Sequence, residues 1–388
     1  MATVTKLAGI QPRPSENDPA MNSDLATGAV AFDRARLIKA KPSFATRRFQ
    51  PGVATTLLTG TPTAGDPRPR AGDLVLAQVT RIGQHTRIEL PNGRRALLYP
   101  GDEIVVAFGN RYAVDQFEAV VPDDLGPCHL VAAGGIAALC LTKHRKMKCP
   151  TEIMPIGLVA DADGRPFNLA DFGLAKRQPP SRRPPVTAVI GTSMNAGKTT
   201  TAAALIKGMT LCGRRVGAAK ITGTGAGGDV WAMTDAGAHR VLDFTDAGYP
   251  TTNKLSAATI QDILATLVGT LCDAKVDAIV IEIADGLFLD ETADLVTSER
   301  FRATVDDVVL AAGDAMGAHA GVRWLAERGL EVALVSGVVT ASALSAREAE
   351  GALDVALYDR EALLAGGWLP GDRPGAGQRL GVGQRLTA

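Results

Sequence analysis

Val189-Ile190-Gly191-Thr192-Ser193-Met194-Asn195-Ala196-Gly197-Lys198-Thr199-Thr200 is the stretch whose reading decides the fold. An apolar strand runs into a loop bounded by glycines, and the loop runs into the start of a helix. Main-chain N–H groups of such a loop, together with the positive end of the helix dipole, make a seat for phosphate groups. Gly197 lets the chain pass close to the ligand, Lys198 reaches the β and γ oxygens as a point charge, and Thr199 offers its hydroxyl to Mg²⁺. Five residues, Thr192 to Ala196, separate the glycines, one more than the usual pattern, while Gly-Lys-Thr-Thr and the strand–loop–helix context both fit. Nucleotide contacts are therefore expected from Gly191, Thr192, Ser193, Met194, Asn195, Ala196, Gly197, Lys198, Thr199 and Thr200.

Working outward, short and nearly continuous apolar runs recur at Val186–Ile190, Val216–Ala219, Val276–Ile281, Val308–Ala312 and Val332–Val335. Such runs fit parallel strands buried on both faces. Between them lie amphipathic segments, Thr199–Cys212 stopped by Gly213, and Ser256–Leu271 with Ile260, Ile263, Leu264, Leu267 and Leu271 on one stripe. The alternation predicts a doubly wound, mainly parallel α/β sheet over 186–365. Ahead of it, Pro179-Pro180-Ser181-Arg182-Arg183-Pro184-Pro185 reads as a stiff linker. Residues 71–178 begin with four short alternating strands, two of them joined by Pro91-Asn92-Gly93, and predict a small β-barrel-like domain with a mixed extension. Residues 1–70, which hold eight of the 22 prolines, read as an extended arm, and 366–388 as a flexible tail.

Composition narrows the function. The chain has 388 residues, 46% hydrophobic and 21% charged, which fits a folded globular protein rather than a disordered one. Its 41 basic and 41 acidic side chains give no bulk attraction to nucleic acid or anionic membrane. No segment reaches the ~18 apolar residues of a membrane helix, and the N-terminus lacks the pattern of a secretory signal. Five unclustered cysteines read as free thiols in a reducing cytoplasm, the expected location.

The loop form G-T-x-x-x-x-G-K-T resembles that of dethiobiotin synthetase, and further likenesses follow in order over about 186–360. Ala218-Ala219-Lys220-Ile221-Thr222-Gly223 is similar to the synthetase's lysine and Thr-Gly pair facing substrate. Gly228-Asp229-Val230-Trp231, followed by Leu242-Asp243-Phe244, is similar to its metal-binding aspartate segment, and Ile281-Glu282-Ile283-Ala284-Asp285-Gly286 to the strand end bearing its metal-side glutamate. The resemblance implies ATP and Mg²⁺, metal ligands Thr199, Asp229 and Glu282, catalytic roles for Lys198, Lys220 and Glu282, nucleotide contacts at Ser336 and Gly337, and a homodimer. Lys220-Ile-Thr-Gly and Glu282-Ile-Ala-Asp-Gly depart from the family where substrate would sit, so dethiobiotin is not the implied product. The expected activity is phosphorylation or ligation of a small carboxylate- or carbamate-type substrate. A more distant resemblance, to the P-loop D-glutamate N-acetyltransferases, implies a coenzyme's phosphates in the loop instead. A nucleotide-driven switch or accessory protein is the alternative from another class; the extra loop lysine of MinD-type ATPases is replaced here by Thr192 and Ser193.

Other side chains carry weaker signals. Glu282 leaves a buried apolar strand and needs a partner, which a metal would supply; Asp285 is a second carboxylate candidate. His239 and His319 read as structural. Cys128, His129, Cys140, His144 and Cys149 fit no standard zinc spacing. Lys143–Lys148 reads as a solvated basic face, with an anion clamp as the alternative. Arg81, Arg87, Arg94 and Arg95 are interrupted by acids and have only Tyr99 to stack a base, which argues against nucleic acid.

Overall fold

A computed structural model describes residues 28–31, 34–54, 56–59 and 68–371. In the C-terminal half, six strands form one sheet in the order Arg240–Asp243, Val216–Lys220, Ala278–Glu282, Val186–Gly191, Asp307–Ala311 and Val332–Ser336. Every neighbouring pair in it is parallel. Side chains alternate between the faces of a strand. Val186, Ala188 and Ile190 accordingly join a core with Ile260, Ile263, Leu264 and Leu267 of the helix Ala257–Cys272. Val189 points the other way, to Leu205, Ile206 and Met209 of the helix Lys198–Leu211. Helices cover both faces, which is the doubly wound arrangement read from the apolar runs. The edge strand Arg240–Asp243 is an addition, half-exposed where the other strands are continuous apolar runs.

The N-terminal half holds a mixed sheet of ten strands. Thr151–Ala160 pairs with Leu74–Arg81, which pairs with Glu103–Phe108; Ile136–Lys143 follows in parallel. Cys128–Ala132 pairs with both Ile136–Lys143 and Thr151–Ala160, so hydrogen bonds run around a circuit of these strands. The segment Arg87–Glu89 pairs with Arg95–Leu97 across the Pro91-Asn92-Gly93 turn. The sheet is, however, not confined to 71–178. Thr56–Thr59, Lys41–Pro42 and Gly28–Ala31 belong to the same sheet, where they pair with Thr151–Ala160, Glu103–Phe108 and Thr56–Thr59 respectively and satisfy their backbone groups.

This also corrects the extended arm. Within 1–70, Leu37, Phe44, Phe49 and Leu57 are buried apolar side chains, and burying them outweighs the proline density that argued for an open chain. The rest of that arm, 1–27, 32–33, 55 and 60–67, lies outside the described residues. The linker 179–185 is pinned rather than free, because Arg183 donates to Asp306 Oδ2 at 2.5 Å and to the Ala303 carbonyl at 3.1 Å. The tail begins later than expected: Trp368, 1% exposed, packs into the core beneath Lys198–Leu211. Residues 372–388 of the expected tail lie outside the described residues. Among the described residues no helix is long and apolar enough to cross a membrane.

Candidate functional site

The phosphate loop leaves the middle of the parallel sheet, where the crevice beyond the strand ends collects ligands in folds of this kind. Gly197, at φ 97°, takes the N-cap position of Lys198–Leu211 and supplies no side-chain cap. The first N–H groups of that helix are thus left for an anion. Lys198 is buried, and its Nζ donates to the Ser193 carbonyl at 2.8 Å, folding back over its own loop. Burial pushes its ammonium pKa down, Glu282 and Asp285 oppose that shift, and Lys220 adds to it.

Thr199, Asp229 and Glu282 meet here. The Thr199 hydroxyl lies 2.9 Å from Asp229 Oδ1 and 3.1 Å from Glu282 Oε1. Lys220 forms an ion pair with Asp229 from the end of the neighbouring strand. Glu282 is buried, and its Oε2 has no hydrogen-bond partner among the described residues. Three chain-distant segments therefore bring hard oxygen donors to one point beside the loop. That set fits Mg²⁺, which takes one or two carboxylates and completes its shell with phosphates and water; the orphaned Glu282 oxygen is the specific sign. Asp285 follows on the same strand exit. Burial pushes its carboxyl pKa up, and Lys198, Lys220 and Arg111 pull it back.

The remaining predicted loop residues divide by role. Thr192 has its N–H committed to the Ala311 carbonyl at 3.0 Å, and its side chain packs toward the helix Ala315–Ala326. Ala196 is buried, and its carbonyl accepts from Val338 N at 3.0 Å. Ser193, Asn195 and Thr200 are exposed at the mouth, with Met194 half-buried beside them. Ser336 is buried at its strand end, and Gly337, at φ 97°, sits under the loop. A Cβ at Gly337 would lie 2.3 Å from the Ala196 carbonyl oxygen. Gly337 thus braces the loop from behind, and the Ser336 carbonyl accepts from Ala312 N at 2.9 Å.

Sequence reasoning missed the cover that the N-terminal sheet lays over the site. Asn195, in the left-handed region at φ 64°, donates through Nδ2 to Asp115 Oδ2 at 3.0 Å. Glu89 accepts from Gly227 N at 3.0 Å and from Trp231 Nε1 at 2.7 Å, so it holds the start of the helix Gly228–Asp235 that carries Asp229. Phe44 meets Trp231 edge-on at 6.1 Å. Arg47 donates to Asp243 Oδ1 at 3.0 Å and to Asp246 Oδ2 at 2.6 Å, and lies over the Phe44 ring at 4.2 Å. Between cover and sheet a small cleft is lined by Tyr112, Thr222, Gly223, Thr252, Asp285 and Glu291.

The weaker candidates lie elsewhere. The His129 ring accepts from Cys140 N at 3.2 Å, and the His144 ring from Lys146 N at 3.2 Å. Burial pushes the Cys128 thiol up to about 12. Among the described residues no three His, Cys, Asp or Glu side chains are grouped as metal ligands. His239 contacts Arg215, and His319 the Ala352 carbonyl at 2.9 Å. Lys143–Lys146 and Lys148 are exposed, and Arg81 pairs with Glu152.

No protein-family model and no curated protein matches this sequence. Solved structures do. The signal recognition particle 54 kDa protein from Aeropyrum pernix K1, in complex with GDP, is 16% identical over 48% of this chain and 40% of that one, with a TM-score of 0.27. Chloroplast FtsY from Physcomitrella patens is 16% identical over 47% of this chain and 59% of its own, with a TM-score of 0.30. The cell division protein FtsY from Thermotoga maritima is 16% identical over 49% and 70%, with a TM-score of 0.29. This chain spans about half the length of the first two, at 40% and 59%. The P-loop NTPase fold is read from the strand order and the loop themselves.

Proposed function

We propose that this protein is a Mg²⁺-dependent P-loop enzyme that uses a nucleoside triphosphate, ATP in our reading, to phosphorylate or ligate a small carboxylate- or carbamate-type acceptor. The observation that carries the proposal is the meeting of Thr199, Asp229 and Glu282 beside a buried, loop-facing Lys198. Phosphoryl transfer asks chiefly for positioning and charge neutralisation. Lys198 would leave the Ser193 carbonyl for the phosphate oxygens, and loop amides would hold the remaining charge. Mg²⁺ held by Thr199, Asp229 and Glu282 would neutralise β and γ oxygens. The acceptor occupies the cleft beside Thr222, Gly223 and Asp285, with Lys220 close by. Its oxygen bonds to the γ phosphorus as the bond to the β–γ bridging oxygen breaks, and the nucleoside diphosphate leaves.

A nucleotide-driven switch is the second reading. It is favoured by the ties Asn195–Asp115 and Gly227–Glu89, through which a filled loop would act on the N-terminal sheet. An acyl-CoA-dependent transferase would use the same loop for coenzyme phosphates. Calorimetric titration with MgATP, MgGTP and acetyl-CoA separates these, with Lys198→Ala as control. Truncating a buried charge that meets a ligand loses about 2–5 kcal/mol. The triphosphate reading expects MgATP to bind the wild type and to lose roughly 30-fold or more with Lys198→Ala. Tight acetyl-CoA binding without nucleotide binding would overturn it. ATP turnover raised by a protein partner and by no metabolite would favour the switch.

A further inference from the structure

Asp229 serves two groups with one negative charge. Its Oδ1 accepts from the Thr199 hydroxyl at 2.9 Å, and its Oδ2 is paired with the ammonium of Lys220. Lys220 is buried, at the end of its strand and opposite Glu282 in the register. Taking a cation out of water is costly unless an anion compensates it, and Asp229 is the carboxylate paired with Lys220 among the described residues. Asp229 is also one of the three residues that meet as a seat for Mg²⁺. A metal there draws on the same charge, whichever carboxylate oxygen it takes, and Lys220 is left a buried cation without full compensation.

The surroundings make the balance turn on the metal. Glu282, Asp285 and Lys220 act on the charge of Lys198, and Asp229 adds its own beside Lys220. Two ammonium groups thus face three carboxylates, and a divalent cation reverses the excess from negative to positive. Arg111 and Asp115, which act on Asp285 with opposite signs, leave that balance as it is. The Lys220 stem runs along the bare face of Gly223, where a Cβ would lie 2.9 Å from Cε and 3.5 Å from Nζ. Gly223 also lines the cleft, so the ammonium group and the cleft share a wall residue. The internal competitors for Lys220 are Glu282, which the metal also engages, and Asp285, whose carboxyl burial pushes up and Lys198 and Lys220 pull back.

We propose that Lys220 is a masked anion receptor: Asp229 neutralises it in the absence of metal, and Mg²⁺ shared with Asp229 turns it towards an anionic oxygen group of the incoming ligand, an acceptor carboxylate or a terminal phosphate. This deepens the proposed function and rests on that reading for the metal. It sets an order in which the metal comes first and the anion second. By linkage, the anion tightens the metal in return.

The test uses the full chain, with succinate and inorganic phosphate as probes, followed by calorimetry and thermal melts at constant ionic strength. Wild type and Lys220→Met are titrated with each probe, with and without Mg²⁺. Mg²⁺ is expected to tighten probe binding about ten-fold or more in the wild type and less than about three-fold in Lys220→Met. Phosphate held by the loop alone, or directly by the metal, is common to both proteins and cancels in this comparison. Lys220→Met is also expected to bind Mg²⁺ itself about three-fold or more tightly than the wild type, since no ammonium then draws on Asp229. A gain seen with succinate identifies an acceptor carboxylate, and a gain confined to phosphate a terminal phosphate. Equal Mg²⁺ gains in the two proteins, or Mg²⁺ affinity unchanged by Lys220→Met, overturn the proposal. The double variant Asp229→Asn with Glu282→Gln neutralises both carboxylates without metal. In the absence of Mg²⁺ it is expected to bind a probe about ten-fold or more tightly than the wild type, and adding Lys220→Met removes that gain. Should Mg²⁺ fail to bind the wild type, the metal reading falls and the double variant alone decides the receptor; no gain there overturns it as well.

Discussion

The phosphate loop and the N-terminal cover are built on opposite principles. The loop is local: its residues are consecutive, its helix start is left open by Gly197, and its lysine folds back onto Ser193 at 2.8 Å. The cover is assembled from distant pieces. Arg47, Glu89 and Asp115 each reach across to the parallel sheet from separate parts of the N-terminal half. A local device can bind phosphate wherever it is placed, whereas the long-range pairs determine what lies next to it. The difference teaches that the phosphate loop is specified by one consecutive stretch, whereas its surroundings are set by contacts from the other half of the chain.

Breaking the cover is expected to have the largest effect on stability. Arg47→Ala leaves Asp243 and Asp246 as buried carboxylates without their cation, and breaking such a pair costs about 3–5 kcal/mol. Urea unfolding should show that loss, while Lys198→Ala, which acts only on the loop, should leave the midpoint nearly unchanged. Equal losses in the two variants would erase the distinction between cover and loop. A smaller effect sharpens it further. Burial lowers the His85 pKa to about 4, with Arg111 adding to the shift, while its Nε2 keeps the Val131 carbonyl at 3.0 Å. The unfolded chain, with an ordinary histidine near 6.5, then binds more protons than the folded one as pH falls. Stability contributed by neutral His85 is thus full above about pH 6.5 and declines towards pH 4. Unfolding midpoints between pH 7 and 4.5 should fall less steeply in His85→Gln than in the wild type. An unchanged slope would remove His85 from the account.

Legibility in the sequence followed the same divide. The strands Val186–Gly191, Val216–Lys220, Ala278–Glu282, Asp307–Ala311 and Val332–Ser336 were readable because continuous apolar runs are the signature of strands buried on both faces. Arg240–Asp243 escaped because an edge strand that is half-exposed carries no such run. Thr199, singled out by the loop motif, Asp229, by the resemblance, and Glu282, by the resemblance and the cost of a carboxylate at a strand end, do come together in space. Arg47, Glu89, Arg111 and Asp115 were not found, since nothing local in their surroundings marks a partner far along the chain. One signal was available: Arg111 occupies an inward position of an alternating strand, where an apolar residue is the rule. Phe44 and Phe49 likewise showed that the proline-rich beginning carries buried anchors.

The central claim is that the loop seats a triphosphate whose metal is held by Thr199, Asp229 and Glu282. The most direct measurement is the Mg²⁺ dependence of ATP affinity in the wild type and in Glu282→Gln, followed by calorimetry. The account predicts that Mg²⁺ tightens ATP binding to the wild type at least ten-fold and that Glu282→Gln loses most of that gain while still binding ATP alone. ATP affinity that is the same with and without Mg²⁺, or a gain left intact in Glu282→Gln, would contradict it.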